Sequence, residues 1–281
     1  MTWLLFGSLG IAVIVAALWA LGQWRWSTST QALLDELEAA RLATPPERFD
    51  PKELEGLPEP VARHLRQVLP EGTPIIRAVD IAHRGTFNMS QAGERWRPFT
   101  SRQRVVTRRP GFVWNGRVSL APGLAVHVHD AYVNGEGVLA PAILGVFTLF
   151  KLRDRGEVAR GELMRFMAEA AWYPTALLPS QGMRWKPIDA HSARVTLDDG
   201  EITLSMTFHF GADGLIDTIG ADSRGRTVGN LIIPTPWAGR MSNYQWRDGL
   251  LIPLDGEVAW LTPEGPHPYW RGTITEIAYH R

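Results

Sequence analysis

Residues 3–21 form an unbroken apolar run in which Ser8 is the only polar side chain, and Gln23-Trp24-Arg25-Trp26 closes it. A helix over this run is about 28 Å long, enough to cross the hydrocarbon core of a bilayer. Trp3, Trp19, Trp24 and Trp26 fall where an interfacial aromatic belt belongs, and Arg25 can snorkel to the headgroups. The pattern predicts a single-pass transmembrane anchor over residues 1–26. Only Met1 and Thr2 precede the run, and the bulky Leu18, Trp19 and Leu21 spoil a small-x-small cleavage site, so the anchor reads as uncleaved. Arg25 and Arg41 follow the span with no basic side chain before it, a count that by itself votes for a cytoplasmic domain.

The next pattern is helical. Leu33, Leu34, Leu37 and Leu42 make a narrow apolar stripe over 31–42, with N-cap candidates at 27–30. Prolines punctuate 44–58, which predicts a semi-rigid stalk, and a second short helix follows over 60–69. The chain therefore divides into an anchor (1–26), a helical and Pro-rich stalk (27–59) and one domain (60–281).

Beyond residue 75 the period drops to two. Phe112, Trp114, Val118 and Leu120 alternate with Val113, Asn115, Arg117 and Ser119. Over 202–210, Ile202, Leu204, Met206, Phe208 and Phe210 alternate with Thr203, Ser205, Thr207 and His209. One apolar and one wet face is the mark of an antiparallel sheet. Asp198-Asp199-Gly200, Ala212-Asp213-Gly214 and Asp248-Gly249 supply hairpin turns. One segment, 157–172, switches to helical spacing at Leu163, Phe166, Met167 and Ala170, with Glu162, Arg165 and Glu169 set apart on the polar side. A lone helix among hairpins predicts a cover for an open sheet face. The apolar stretch 141–152 has no clear period and reads as a buried strand or a loop dipping into a cavity or the bilayer surface. The fold class is mainly β (α+β).

Composition changes this picture little. The 281 residues carry 29 basic and 29 acidic side chains, so no basic footprint for nucleic acid appears. The absence of cysteine excludes disulfides, thiolate metal sites and a Cys nucleophile. The 12 tryptophans either plug a broad β core or line a ligand cavity.

Candidate chemistry is sparse. His127 and His129 share one strand face and can meet one metal ion if Glu136, His83 or His209 supplies a third ligand; the alternative is two histidines on a wet face. Glu136 and Glu257 lack any paired carboxylate motif, and no nucleophile elbow, phosphate loop or dinucleotide fingerprint occurs. No catalytic residue and no cofactor is assigned. Arg102 and Arg104 share a face and can hold an anionic headgroup or a carboxylate. Three Trp–Pro strings, 172–179, 234–240 and 266–272, are rigid aromatic loops of the kind that frame pockets.

Those strings, with Leu57-Pro58-Glu59-Pro60-Val61, Arg109-Pro110-Gly111-Phe112-Val113-Trp114, Asp130-Ala131-Tyr132-Val133 and Gly256-Glu257-Val258-Ala259-Trp260, resemble motifs of an uncharacterised bacterial family of membrane-anchored proteins of unknown function. The resemblance spans 57–279 and supplies no catalytic residue. The Pro-Gly-Phe-x-Trp strand and the order of elements also resemble lipoprotein-carrier and lipid-binding half-barrels, which hold acyl chains between a curved antiparallel sheet and helices. That resemblance implies a half-barrel with one or two covering helices, a domain on the extracytoplasmic side of the cell membrane, and binding of a hydrophobic or lipid-like ligand. Phe112, Trp114, Phe166, Met167, Trp172 and Tyr173 are then the expected lining, with Arg102 and Arg104 at its polar end. A metal-assisted hydrolase using His127 and His129, and a partner-binding domain without a cavity, are the alternatives.

Overall fold

The structure is a computed structural model that describes residues 2–43, 45–90, 93–228 and 231–281, with side chains from residue 16 onward. Local hairpins build two wings of one antiparallel sheet. The first holds β1 (Ala78–Asn88), β2 (Trp96–Val106), β3 (Gly111–Ala121), β4 (Leu124–Val133), β5 (Glu136–Ile143), β6 (Phe147–Thr148) and β7 (Leu152–Asp154). The second holds β8 (Arg184–Asp189), β9 (Ser192–Asp199), β10 (Ile202–Phe210), β11 (Ile216–Val228), β12 (Leu231–Arg247), β13 (Leu250–Thr262) and β14 (Gly265–His280). Pairing of β1 with β14 joins them into the order β6-β5-β4-β3-β2-β1-β14-β13-β12-β11-β10-β9-β8, with β7 on β5. Helix α1 spans Thr2–Ala39, α2 spans Glu59–Val68 and α3 spans Glu157–Glu169. The sheet curves around α3, which packs on β3, β4 and β5 of one wing and on β10 and β11 of the other. The sheet is thus a curved, open antiparallel one with helices, as the alternating pattern predicts.

The turn chemistry sits where the sequence places it. Gly200 and Gly214 adopt φ of 59° and 82°, and Asp248-Gly249 adopts 47° and 79°, the left-handed pair of a two-residue hairpin. Some of the tryptophans act as plugs. The Trp114 ring lies over Gly116 and the Trp270 ring over Gly272, so close that a Cβ at either glycine would overlap the indole. Two of the Trp-x-Gly strings thus encode a ring laid flat along its own strand.

Two hydrophobic cores lie on opposite faces. The inner face packs Phe112, Trp114, Phe166, Met167, Trp172 and Tyr173 with α2 and the strands of both wings. The outer face of β1–β5 packs Ala78, Val106, Val113, Ala131, Val133 and Val138 against Leu33 and Leu37 of α1. β3 therefore serves both cores, Phe112 and Trp114 inward and Val113 outward. Leu37 is 1% exposed, and burial of such a leucine is worth roughly 1.5–3 kcal/mol.

α1 differs from expectation. It runs without a break from Thr2 to Ala39, so residues 27–30 do not cap a second helix. Thr28 and Thr30 instead donate their hydroxyl protons back to the carbonyls of Trp24 and Trp26, at 3.0 and 2.9 Å, which lets them sit inside a helix. The expected stalk is packed rather than free. Phe49 and Leu54 are buried in the inner core, and Phe49 and Ile75 donate backbone bonds to Thr73 and Glu47, both at 2.9 Å. The stretch 141–152 is the end of β5, a turn, and the short β6 and β7. Among the described residues no helix is long and apolar enough to cross a membrane. Most side chains of the apolar run 3–21 lie outside that statement, since side chains are described only from Ala16.

Candidate functional site

A half-open groove of about 700 Å³ lies on the outer face, walled on one side by α1 (Gln23, Trp26, Ser27, Thr30) and floored by β1–β4. The register explains its chemistry. Arg84 pairs across with Thr100, Thr100 with Arg117, and Arg117 with His127, one row over four strands. Arg102 faces Asn115 in the next row. Alternation sends all three arginines outward, and none forms an ion pair with the described residues, whereas Arg104, two positions from Arg102, binds Glu38 at 2.7 Å and Asp80 at 2.9 Å. The groove is thus a basic surface with its charges uncompensated. Such a guanidinium row suits phosphate or carboxylate, which it can engage with two parallel N–H bonds per arginine.

Trp26 organises the wall. Its indole stacks on His129 at 3.7 Å between centroids and 8° between planes, meets His127 edge-on at 5.4 Å, and donates to Asn115 Oδ1 at 3.0 Å. Because the single Thr30 hydroxyl proton goes to the Trp26 carbonyl, His129 Nε2 must donate to Thr30 Oγ1, 2.7 Å away. Burial, and then the charges of His127 and Lys151, lower the His129 pKa to about 4. His127 and His129 share one face as the spacing predicts, but that face is covered by α1 rather than wet. The expected third ligands are elsewhere: Glu136 is held by Arg153 and Arg155, and His83 lies on the inner side beside Trp172, 5.0 Å between rings. His209 sits on β10 in the other wing. Among the described residues no group of three His, Cys, Asp or Glu side chains is placed to hold a metal ion.

The inner face holds a second polar constellation. Arg165 of α3 donates to Asp130 at 2.6 Å, to Glu169 at 2.7 Å and to Gln103 at 3.1 Å. Its guanidinium lies over the Phe112 and Trp114 rings at 4.8 and 5.3 Å. Burial opposes its charge, but Glu169, Asp130 and Glu162 overcome that and hold it firmly cationic. Glu162 goes the other way: burial, then the neighbouring Asp130, push its carboxyl well above the usual range despite Arg224. Among the described residues Asp130 Oδ1, Glu162 Oε2 and His83 Nε2 are buried without a hydrogen-bond partner.

The sheet separates the expected site residues. Phe112, Trp114, Phe166, Met167, Trp172 and Tyr173 come together on the inner side, each 3% exposed or less, with Tyr173 donating to the Phe166 carbonyl at 2.8 Å. Arg102 and Arg104 face outward, the first in the groove and the second pinned to α1. Arg84, Arg117 and Trp26 do not stand out as groove residues in the sequence, because only strand register and the packing of α1 on the sheet show that they converge. Arg165, Glu162 and Glu169 read as the polar side of an amphipathic helix, yet they face into the curve of the sheet. The signal that could have found them is the run of apolar residues on the remaining faces of that helix, which leaves it no wet side.

A family model of unknown function matches residues 55–279. The chain belongs to the DUF6920 family. The match covers the motif strings that carried the family resemblance, from Leu57 to Tyr279, and both wings of the DUF6920 sheet. No curated protein matches the chain. Among solved structures the DUF6920 chain is similar to a putative outer membrane lipoprotein-sorting protein domain from Vibrio parahaemolyticus, at 10% identity and TM-score 0.39, over 82% of this chain and 92% of that one. It is also similar to a LolA superfamily protein from Nitrosomonas europaea, at 8% and 0.32 over 90% and 94%. A DUF1329 family protein from Desulfovibrio piger is similar at 11% and 0.41 over 82% and 94%.

Proposed function

We propose that this chain is a module of the cell membrane, anchored by residues 3–21 with its domain on the extracytoplasmic side, that binds the anionic headgroup of a lipid-like ligand in the outer groove. The observation that carries the reading is the convergence of Arg84, Arg102 and Arg117, without carboxylate partners among the described residues, in a groove of about 700 Å³ whose wall is α1 itself. An amphiphile held there keeps its charged end on the guanidinium row, while its chains follow the helix toward the apolar run. The polar ligand end expected at Arg102 is retained. The six apolar candidates support the site from behind, as the core on which β2 and β3 lie.

The test is native mass spectrometry of the full chain purified in detergent and challenged with phosphatidylglycerol and with phosphatidylcholine. The reading expects retention of the anionic lipid over the zwitterionic one. The triple variant Arg84→Gln/Arg102→Gln/Arg117→Gln should lose most of that preference, about tenfold in apparent affinity, as charge-assisted pairs are removed. Equal retention of both lipids by the unaltered chain would sink the proposal.

A further inference from the structure

The connection between β5 and β7 is an apolar loop that the groove does not use. Phe147, Leu149 and Phe150 are 62%, 54% and 48% exposed, large side chains with little protein over them. The loop is fixed in place against α1. A Cβ at Gly22 would lie 2.6 Å from the Leu144 carbonyl, and Gly145, at φ 71°, sits so close that its own Cβ would be 3.0 Å from the Gly22 carbonyl. Two glycines thus let loop and helix touch at the backbone, at the turn where α1 stops being covered by the sheet.

From that point the helix changes character. Residues 16–21 are all apolar and all exposed, a helix apolar on every side with no protein around it. Next to this apolar level lies a cationic one. Arg25 and Lys151 are exposed beside it, and Arg84, Arg102 and Arg117 follow in the groove. No acidic residue occurs before Asp35 or within 141–152. An apolar layer followed by these cations, on a helix and loop that carry no acidic side chain there, matches the order of layers at an anionic bilayer surface.

We infer that the loop 144–150 inserts into the interfacial layer of the same anionic bilayer, as a second membrane contact beside α1. The inference rests on the anchoring reading above. One helix leaves a domain free to tilt; a helix and an adjacent aromatic loop fix its attitude, with the groove opening at headgroup level.

The absence of cysteine makes single-site labelling clean. Full chains carrying Phe147→Cys, Phe150→Cys or Leu42→Cys are labelled with an environment-sensitive fluorophore and reconstituted into vesicles of phosphatidylethanolamine and phosphatidylglycerol. Leu42 is the control because it is exposed at the far end of α1, bonded to the Arg108 carbonyl. The expected result is blue-shifted emission at 147 and 150, quenching by nitroxide lipid, and about fivefold less quenching by aqueous iodide than at 42, as burial of 5–10 Å in the headgroup boundary requires. Signals at 147 and 150 equal to that at 42, in protein that still floats with the vesicles, overturn the loop contact while leaving the anchor intact. Failure to float overturns both. Shielding that grows with the protein-to-lipid ratio and resists nitroxide lipid assigns the loop to a second copy of the chain and also overturns it.

Discussion

Arg165 and Arg102 lie on opposite sides of the same sheet and face opposite fates. The inner arginine is enclosed, bonded to two carboxylates and laid over two aromatic rings. The outer one is exposed in a groove, with no ion pair among the described residues. Arg104 falls between them: it shares the outer face with Arg102, but α1 brings Glu38 over it. Of these three arginines, the two packed between sheet and helix are paired, and the one in the open groove has no ion pair among the described residues. The inner constellation thus reads as architecture and the outer one as available for a ligand, and each can be probed separately.

The sharpest break is Arg165→Met. It strands Asp130 and Glu169 without their cation, and a broken buried pair costs about 3–5 kcal/mol; a fall in the denaturation midpoint measures it, and a loss below about 1 kcal/mol would mean the cluster is not structural. Leu37→Ala should cost about 2–4 kcal/mol, expressed at the seam between α1 and β3, so hydrogen exchange should rise first in residues 27–39 and only later in β10. The seam also carries a pH dependence. The folded His129 pKa is lowered to about 4 against 6.5 unfolded, so the unfolded chain binds more protons between these values. His129 therefore stabilises fully above pH 6.5, and its contribution is lost as pH falls toward 4. His64, lowered to about 4, and His83, to about 3, mainly by burial, act in the same direction from the inner side. A His129→Gln chain should lose roughly 2 kcal/mol of that slope between pH 6.5 and 4.5, read from denaturation at each pH. The smallest effect on stability belongs to the groove: Arg102→Gln should shift it by less than about 0.5 kcal/mol while weakening anionic-lipid retention, whereas Arg104→Gln should cost up to about 1 kcal/mol and leave retention nearly unchanged.

Much of the sheet was readable because period-two alternation and turn chemistry are local. The strand over 202–210 and its neighbouring hairpins needed no knowledge of distant residues. What escaped was set by long-range cover. Thr28 and Thr30 look like caps until their back-bonds and the sheet beside α1 are seen. Glu162 and Arg165 look solvated until the sheet curves around α3, bringing Asp130 from β4 and Arg224 from β11 to the same helix. The groove was half legible: Arg102 could be named from its cationic side chain and strand face. Arg84 and Arg117 could not, because their approach depends on pairing across three strands. The Trp–Pro strings look like pocket frames, and Gly272 in one of them is the seat of an indole ring.

The join between β1 and β14 sets an order of events for synthesis. Every other pairing in the sheet lies within one wing and closes soon after its strands are made. This one pairs Ala78 with His280 and Phe87 with Trp270, so the middle of the sheet waits until β2 to β13 have all emerged, and closing so long a loop is slow. Until then β1 and β13 are two bare edges, each open to pairing with another chain. Termination anywhere before Gly265 would leave that state permanent, with both wings built and nothing to fasten them.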